Sequence, residues 1–534
     1  MSEIGLRRYD EFYEDFDWQV PATFNFGTDV VDHLARTSNG PALIWENDKG
    51  QGETFTFADI ARLSNRFANV LRGLGIEKGD RLLIMLPRIP QWQIALVGAL
   101  KIGAVPIPCI EMLTARDIAF RIGDSGAKGV ICRESQVAKF ADCAEQLAAR
   151  IVVGEAEGWV AYDAAMAAAR EDLRPAVVGA EDPAIMYYTS GSTGHPKGVL
   201  HAARGLYAWR VSAQYWLDLT PQDRIWCTAD TGWSKAGTSI IFGPWSCGAC
   251  SLFYDGPFVP AERLRLLEKH RITVYCAPAT ELNRLVGEDI AAHDLGALRR
   301  TVSAGEAVNP IVAERWQAAT GLVLSEAYGQ TETLMTVLNY PSEPVKYGSM
   351  GRPSPGSTVA IVDGEGHVLP AGEEGHIAVR APNPQMMLGY WRDPERTAAS
   401  FVEGPGGRWF LTGDLGRRDA DGYFWYAGRA DDVISSAGYR IGPVEVENAL
   451  MEHPAIQECA AVGAPDRDRG EIVKAFIVLR AGFEASDALA ADIQRHAKEI
   501  TAPYKYPRAI AFVEALPKTP TGKIRRRALR EACK

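Results

Sequence analysis

Ten consecutive residues, Thr189-Ser190-Gly191-Ser192-Thr193-Gly194-His195-Pro196-Lys197-Gly198, hold three glycines, four hydroxyls and one lysine. Such a loop can turn backbone N–H groups and hydroxyls toward phosphate oxygens while Lys197 supplies positive charge. Its glycines allow the backbone to approach a ligand closely. A Walker A loop is excluded, because Pro196 precedes the lysine and Gly198 follows it. The competing reading is a surface turn rich in Gly and Ser. Further along, Thr331 and Glu332 place a hydroxyl beside a carboxylate, oxygen donors of the kind Mg²⁺ takes. A capping pair at a helix N-terminus is the alternative there. Tyr328 offers an aromatic face that could stack on a purine, or it is a core residue. Asp414, a short acceptor after a glycine, suits two neighbouring hydroxyls, although a lone Asp is more often a turn residue. Near the end, Gly522 lets the chain turn inward and Lys523 provides a compact cation. Arg525, Arg526 and Arg527 follow closely, so a solvated basic face competes with that reading.

These residues need a scaffold, and the apolar pattern supplies one. Ala184 to Tyr188 reads as a buried strand leading into the first loop. Strand-like runs at 81–86, 129–132, 224–228 and 273–277 alternate with helical patterns at 57–74 and 261–269, which predicts α/β layers. The stretch 82–110 is interrupted by Pro87, Arg88, Pro90 and Lys101, and reads as strand, turn and helix rather than a membrane span. From 349 to 380 short strands with Gly and Pro turns predict a β-rich subdomain. A boundary is expected at Asp431-Asp432. Beyond it come a helix at 443–451, strands at 459–463 and 472–479, a helix at 488–500 and a strand at 509–513. The expected division is a large α/β domain over 1–430 and a small α+β domain over 431–534.

The chain has 534 residues, enough for two or more domains. Its 47% hydrophobic and 23% charged residues are those of a soluble globular protein. A formal net charge of −10 argues against a general nucleic-acid binder. Residues 1–20 show no apolar signal-peptide core, and nine scattered cysteines suit a reducing cytoplasm. Cys247 and Cys250 form a CxxC without a second pair at metal-ligand spacing, so ordinary small buried residues are expected.

The ordered series 189–198, Tyr328-Gly329-Gln330-Thr331-Glu332, Thr412-Gly413-Asp414, Gly428-Arg429-Ala430-Asp431-Asp432 and 517–523 resembles the adenylate-forming superfamily of acyl-CoA synthetases, peptide-synthetase adenylation domains and luciferases. The resemblance spans nearly the whole chain. Segments 229–237 and 502–508 look most like the medium-chain acyl-CoA synthetases. The resemblance implies an AMP-forming acid–CoA ligase that uses ATP, Mg²⁺ and CoA, with a mobile C-terminal lid hinged at Asp431. It assigns Thr189, Ser190, Gly191, Ser192, Thr193, Gly194 and Lys197 to ATP. Gly305, Glu306 and Ala307, with Glu326, Ala327, Tyr328, Gly329 and Gln330, become walls of the adenine site. Thr331 contacts the α-phosphate, Glu332 holds Mg²⁺, Asp414 takes the ribose, Arg429 contacts the nucleotide and Lys523 drives adenylation. Ala437, Gly438, Tyr439, Arg440, Arg469, Lys498 and Tyr506 match positions that contact CoA. The context of Lys523 also resembles one in which bacterial relatives are acetylated, implying a lysine acetyltransferase and deacylase as partners.

By the same resemblance Trp233, Gly305 and Tyr328 line the acyl site. Ser234 stands where a peptide-synthetase domain would carry an Asp for a substrate amine, which argues against an α-amino acid. The acetate-specific members carry a Trp before their Gln-Thr-Glu, absent here. Medium-chain or branched fatty acids, or benzoate-like acids, are therefore expected. An acyl-AMP ligase that loads a carrier protein and a catalytically silent acyl or nucleotide sensor are the alternatives. The oligomeric state is left open.

Overall fold

Thr56 stops a strand and starts a helix by closing a reciprocal box. Its hydroxyl accepts from the Asp59 N–H at 3.2 Å, and the Asp59 carboxylate accepts from the Thr56 N–H at 3.0 Å. The helix Phe57–Gly73 then buries Phe57, Ile60, Ser64, Phe67, Ala68 and Leu71 at three- and four-residue spacing. Its partner, Pro90–Lys101, has a proline in its first turn and is buried all round. Gly98 sets their approach: a Cβ there would stand 2.9 Å from the Ser64 carbonyl oxygen. Lys101 at the end of this helix is fully buried and pairs with Asp32 at 2.6 Å. The computed structural model describes residues 7–189, 196–430, 432–436, 439–467, 469–501, 505–519 and 523–533.

The described residues form four sheets. One is parallel throughout, ordered Val105–Pro108, Arg81–Met85, Gly129–Arg133, Ala149–Val153 and Val160–Ala161. The largest has a parallel core of Pro41–Asn47, Cys250–Asp255, Arg224–Cys227, Val274–Cys276, Arg300–Ala304 and Leu324–Gln330. It continues antiparallel through Leu334–Leu338 and Ser349–Pro353 into a β-rich layer that includes Gly407–Arg418 and Phe424–Arg429. A small sheet joins Pro183–Thr189, Lys197–Ala202 and Gly389–Tyr390. The fourth lies in the C-terminal part, from Ile434–Ser436 to Ala509–Phe512. Helix Pro443–Met451 follows its first strands, with proline in the first turn and Glu445 accepting from the Gly442 N–H at 3.2 Å. The molecule is thus a mixed α/β fold with a large N-terminal and a smaller C-terminal domain.

Among the described residues no helix is long and apolar enough to cross a membrane. Cys247 and Cys250 are unlinked thiols, the second buried. In the basic run near the end Arg525 and Arg527 are exposed, as a solvated face would be, while Arg526 turns inward. Arg526 makes a two-pronged contact of 2.7 Å with Glu447, and Arg527 pairs with Glu531 at 3.0 Å.

Candidate functional site

Gly305 follows strand Arg300–Ala304 and Tyr328, Gly329 and Gln330 close strand Leu324–Gln330, so these predicted residues lie at the C-terminal ends of parallel strands, the edge where open α/β sheets leave a crevice. Strand Leu324–Gln330 ends in the turn Thr331–Thr333 and returns as Leu334–Leu338. No helix starts at Thr331, so the capping alternative falls. The return is tight because residue 329 is glycine: a Cβ there would meet the Leu334 carbonyl oxygen at 1.9 Å. The turn buries Glu332, which is 6% exposed. Lys197, paired with Thr189 at the mouth of the hairpin, donates to Glu332 Oε1 at 2.8 Å. It also donates to the Tyr390 hydroxyl at 2.8 Å, which itself donates to Glu332 Oε1 at 3.0 Å.

Two further side chains hold this turn. Buried His201 lies with Nε2 2.5 Å from the Thr331 carbonyl oxygen. Burial lowers its pKa to about 4, so the ring is neutral near pH 7 and Nε2–H is the donor. The Ser234 and Thr331 hydroxyls share a hydrogen bond of 3.0 Å. Sequence reasoning missed His201 and Tyr390. Their types gave no signal, since a single His or Tyr in an apolar strand is ordinarily core.

A second cluster surrounds Asp414. It is a strand residue directly opposite Arg429, not a turn residue. Its Oδ2 accepts from the Tyr328 hydroxyl at 2.6 Å and from Gln330 Nε2 at 2.7 Å, and its Oδ1 from Arg429 Nη1 at 3.2 Å. Burial raises the Asp414 pKa, and the Arg429 charge opposes that rise. The Tyr328 ring packs among Val199, Val337 and Met350, which favours the core alternative for most of its surface.

Gly305 and Ala307 are exposed and Glu306 half-buried after strand Arg300–Ala304, forming an open lip with Gly305 at φ +92°. Lys235 anchors the base of that lip by donating to the Ala304 carbonyl at 2.8 Å. Ala327 is buried, and Glu326 behind the lip accepts from the Val308 N–H at 2.8 Å. Burial pushes the Glu326 carboxyl up to about 8. A raised folded pKa means the native state holds this proton after the unfolded chain has lost it. Its contribution is therefore complete below about pH 4.5 and fades as pH climbs through 8. Between pH 5 and 8 the melting temperature of the wild type should fall relative to Glu326→Gln; a constant difference would refute the buried proton.

Lys523 comes from the C-terminal domain. It keeps an exposed surface yet is ringed by protein atoms, and that desolvation lowers its pKa. Glu306 and Asp414 favour its charge, while Lys235 and Arg429 oppose it, so all four lie within its electrostatic reach. Half-buried Trp233 packs against the apolar cluster that includes Ile110 and Tyr188. Lys498 lies over the Tyr506 ring at 4.2 Å, and Arg469 donates its N–H to Asp466 at 2.9 Å. Ser190, Gly191, Ser192, Thr193, Gly194, Asp431, Ala437, Gly438 and the side chains of Tyr439 and Arg440 lie outside the described residues.

Residues 30–391 match the AMP-binding enzyme family and residues 445–523 the AMP-binding enzyme C-terminal domain. Acyl-coenzyme A synthetase ACSM3 of Homo sapiens is 41% identical over 547 residues, covering 99% of this chain and 92% of that protein. Acyl-coenzyme A synthetase ACSM5 of Homo sapiens is 42% identical, covering 96% and 91%. The crystal structure of the anthranilate CoA ligase AuaEII with anthranoyl-AMP superposes with a TM-score of 0.88 at 30% identity, covering 98% of this chain and 99% of that one. A benzoate CoA ligase from Burkholderia xenovorans LB400 gives 0.84 at 30% identity, with coverage of 95% and 100%. Both human relatives are mitochondrial, which overturns the cytoplasmic placement expected from the cysteines. Similarity of this extent, over both domains, means that the chain belongs to the AMP-binding enzyme family and is an AMP-forming acyl-CoA synthetase.

Proposed function

We propose that the acid is a medium-chain or branched fatty acid or a benzoate-like acid, and that one cleft serves both half-reactions. In the first, a carboxylate oxygen of the acid attacks the α-phosphorus of ATP and pyrophosphate leaves. In the second, the CoA thiol attacks the acyl carbonyl, AMP leaves and the thiol proton passes to water. The observation that carries this reading is that the turn bearing Thr331 and Glu332 is bonded to Lys197 on one side and, through Gln330, to Asp414 on the other, so the groups proposed for phosphate, metal and ribose share one site.

Positioning and electrostatics do most of the work in such a transfer. In our reading Asp414 takes the ribose hydroxyls, Arg429 and the Gly305–Ala307 lip border the nucleotide, and Thr331 meets the α-phosphate. Lys523 neutralises charge that develops there. The buried Glu332 carboxylate, with Thr331 next to it in the chain and Ser234 bonded to the Thr331 hydroxyl, supplies oxygen donors of the kind Mg²⁺ takes. A magnesium ion held by Glu332 would neutralise phosphate charge. Arg469, Lys498 and Tyr506 suit the phosphates and adenine of CoA. A neighbouring Trp233, and serine rather than aspartate at 234, support an acid without an amino group. Acetylation of Lys523 would remove its charge and silence adenylation.

AMP release with ATP, Mg²⁺ and CoA across acids from acetate to decanoate, plus branched and aromatic acids, tests the substrate class. CoA-dependent turnover peaking on a medium-chain, branched or aromatic acid is expected. Pyrophosphate release that stalls with CoA would sink the proposed thiol acceptor and point to a carrier protein.

We also propose that the domains divide at 430/431 and that Asp431 is the hinge. Strand Phe424–Arg429 belongs to the large sheet and Ile434–Ser436 to the C-terminal one, which leaves the crossing to a few residues. Proline at 431 would fix φ. Asp431→Pro should slow overall turnover at least about tenfold while sparing one half-reaction. Normal turnover would contradict the hinge.

A further inference from the structure

Three polar groups close a triangle in the site. Lys197 Nζ lies 2.8 Å from both Glu332 Oε1 and the Tyr390 hydroxyl, and that hydroxyl lies 3.0 Å from the same carboxylate oxygen. Lys197 also sits over the Tyr390 ring, 4.3 Å from its centre. Both hydrogen bonds fall on Oε1, and among the described residues none falls on Oε2. Glu332 and Tyr390 are buried, so the carboxylate needs a counter-charge, and the structure supplies it from within the chain. Yet Lys197 stands at the mouth of the Gly- and hydroxyl-rich loop, where a phosphate would compete for the same ammonium.

We propose that Lys197 is an internal counter-ion that guards the metal carboxylate, and that Tyr390 is the positioning residue on which it exchanges partners. This rests on the assignment of Glu332 to the metal. In the empty site Lys197 neutralises Glu332 and competes with a divalent cation. When a nucleotide enters, its phosphates draw Lys197 away and Glu332 is released to the metal. The Tyr390 hydroxyl, a donor to Glu332 and an acceptor from Lys197, keeps both groups oriented during the exchange, and its ring offers the ammonium an attractive face. The consequence is coupling. Metal alone binds poorly, and nucleotide and metal favour each other by the same factor in either order. Gly389–Tyr390 pairs with Lys197–Ala202 in one sheet, so the ring and the lysine are fixed to adjoining strands.

The exchange makes a prediction of opposite signs, which a simple binding role for Lys197 does not. Mn²⁺ binding to nucleotide-free protein is read by electron paramagnetic resonance, and metal-free ATP binding by calorimetry in EDTA. Lys197→Met should bind Mn²⁺ about tenfold tighter than wild type and metal-free ATP about tenfold weaker. Tyr390→Phe, which keeps the ring, should shift both affinities in the same directions by a smaller factor and raise KM for Mg·ATP more than it lowers kcat. Thermal melts identify a variant that has not folded, and Tyr390→Phe then decides alone. Unchanged or weaker Mn²⁺ binding in Lys197→Met, with Mn²⁺ lost in Glu332→Gln, would overturn the exchange and leave the metal role standing. Mn²⁺ binding by Glu332→Gln equal to wild type would overturn both.

Discussion

Lys523→Ala should lower acyl-adenylate formation by about 10²- to 10³-fold, the usual cost of removing one preorganised charge from a transition state. The thioester step, started from pre-made acyl-AMP and CoA, should keep most of its rate. The asymmetry follows from placement. Lys523 is brought by the C-terminal domain into the field of Asp414 and Glu306, where the nucleotide is proposed to lie. Its lowered pKa also follows from that placement, since an ammonium held among protein atoms is poorly solvated and gains by meeting phosphate. Acetylated Lys523 should behave like the alanine variant, and deacylase treatment should restore it while leaving Lys523→Ala unchanged. Equal loss in both half-reactions, or in neither, would remove Lys523 from the adenylation step.

Asp414→Ala carries the second large effect, and it strikes twice. Asp414 gathers Tyr328, Gln330 and Arg429. Its removal takes from the buried Tyr328 hydroxyl its charged acceptor and leaves it the Thr412 side chain, whereas Gln330 keeps its bond to the Thr412 carbonyl at 2.9 Å. Losing a hydrogen bond to a charged group costs about 1.5–3 kcal/mol. Arg429 can turn to water, so its lost pair adds little. Denaturant melts should therefore show a loss of about 2 kcal/mol. The proposed ribose acceptors go with the side chain, and KM for ATP should rise by about ten- to a hundredfold. Adding Tyr328→Phe should recover much of the stability and none of the ATP affinity. An Asp414→Ala enzyme with normal KM for ATP would refute the ribose assignment.

Much of this was written in local pattern. Helix Pro443–Met451 has its predicted ends because proline is tolerated in a first turn and Glu445 meets the free N–H of Gly442. The strands at 183–189, 81–85 and 224–227 follow from apolar runs bounded by turn residues. The cluster at Asp414 was legible as single residues, each carried by a recognisable motif. Its internal bonding was not, because Tyr328 and Asp414 are 86 residues apart.

The sequence alone determined the chemistry available: a phosphate loop, a hydroxyl–carboxylate pair, an acceptor after glycine and a lysine after glycine, in an order shared with the acyl-CoA synthetases. Local propensity and residue type suffice for that, since each depends on a few neighbours. Only the tertiary structure decided that Thr331 and Glu332 form a turn between strands rather than a helix start. It alone made Tyr328 mostly core, paired half-buried Arg526 with Glu447, and brought His201 and Tyr390 to the site. Those outcomes depend on burial and on partners far apart in the chain. A side chain's protonation and its freedom to bind are set by what packs around it, and no local pattern records that.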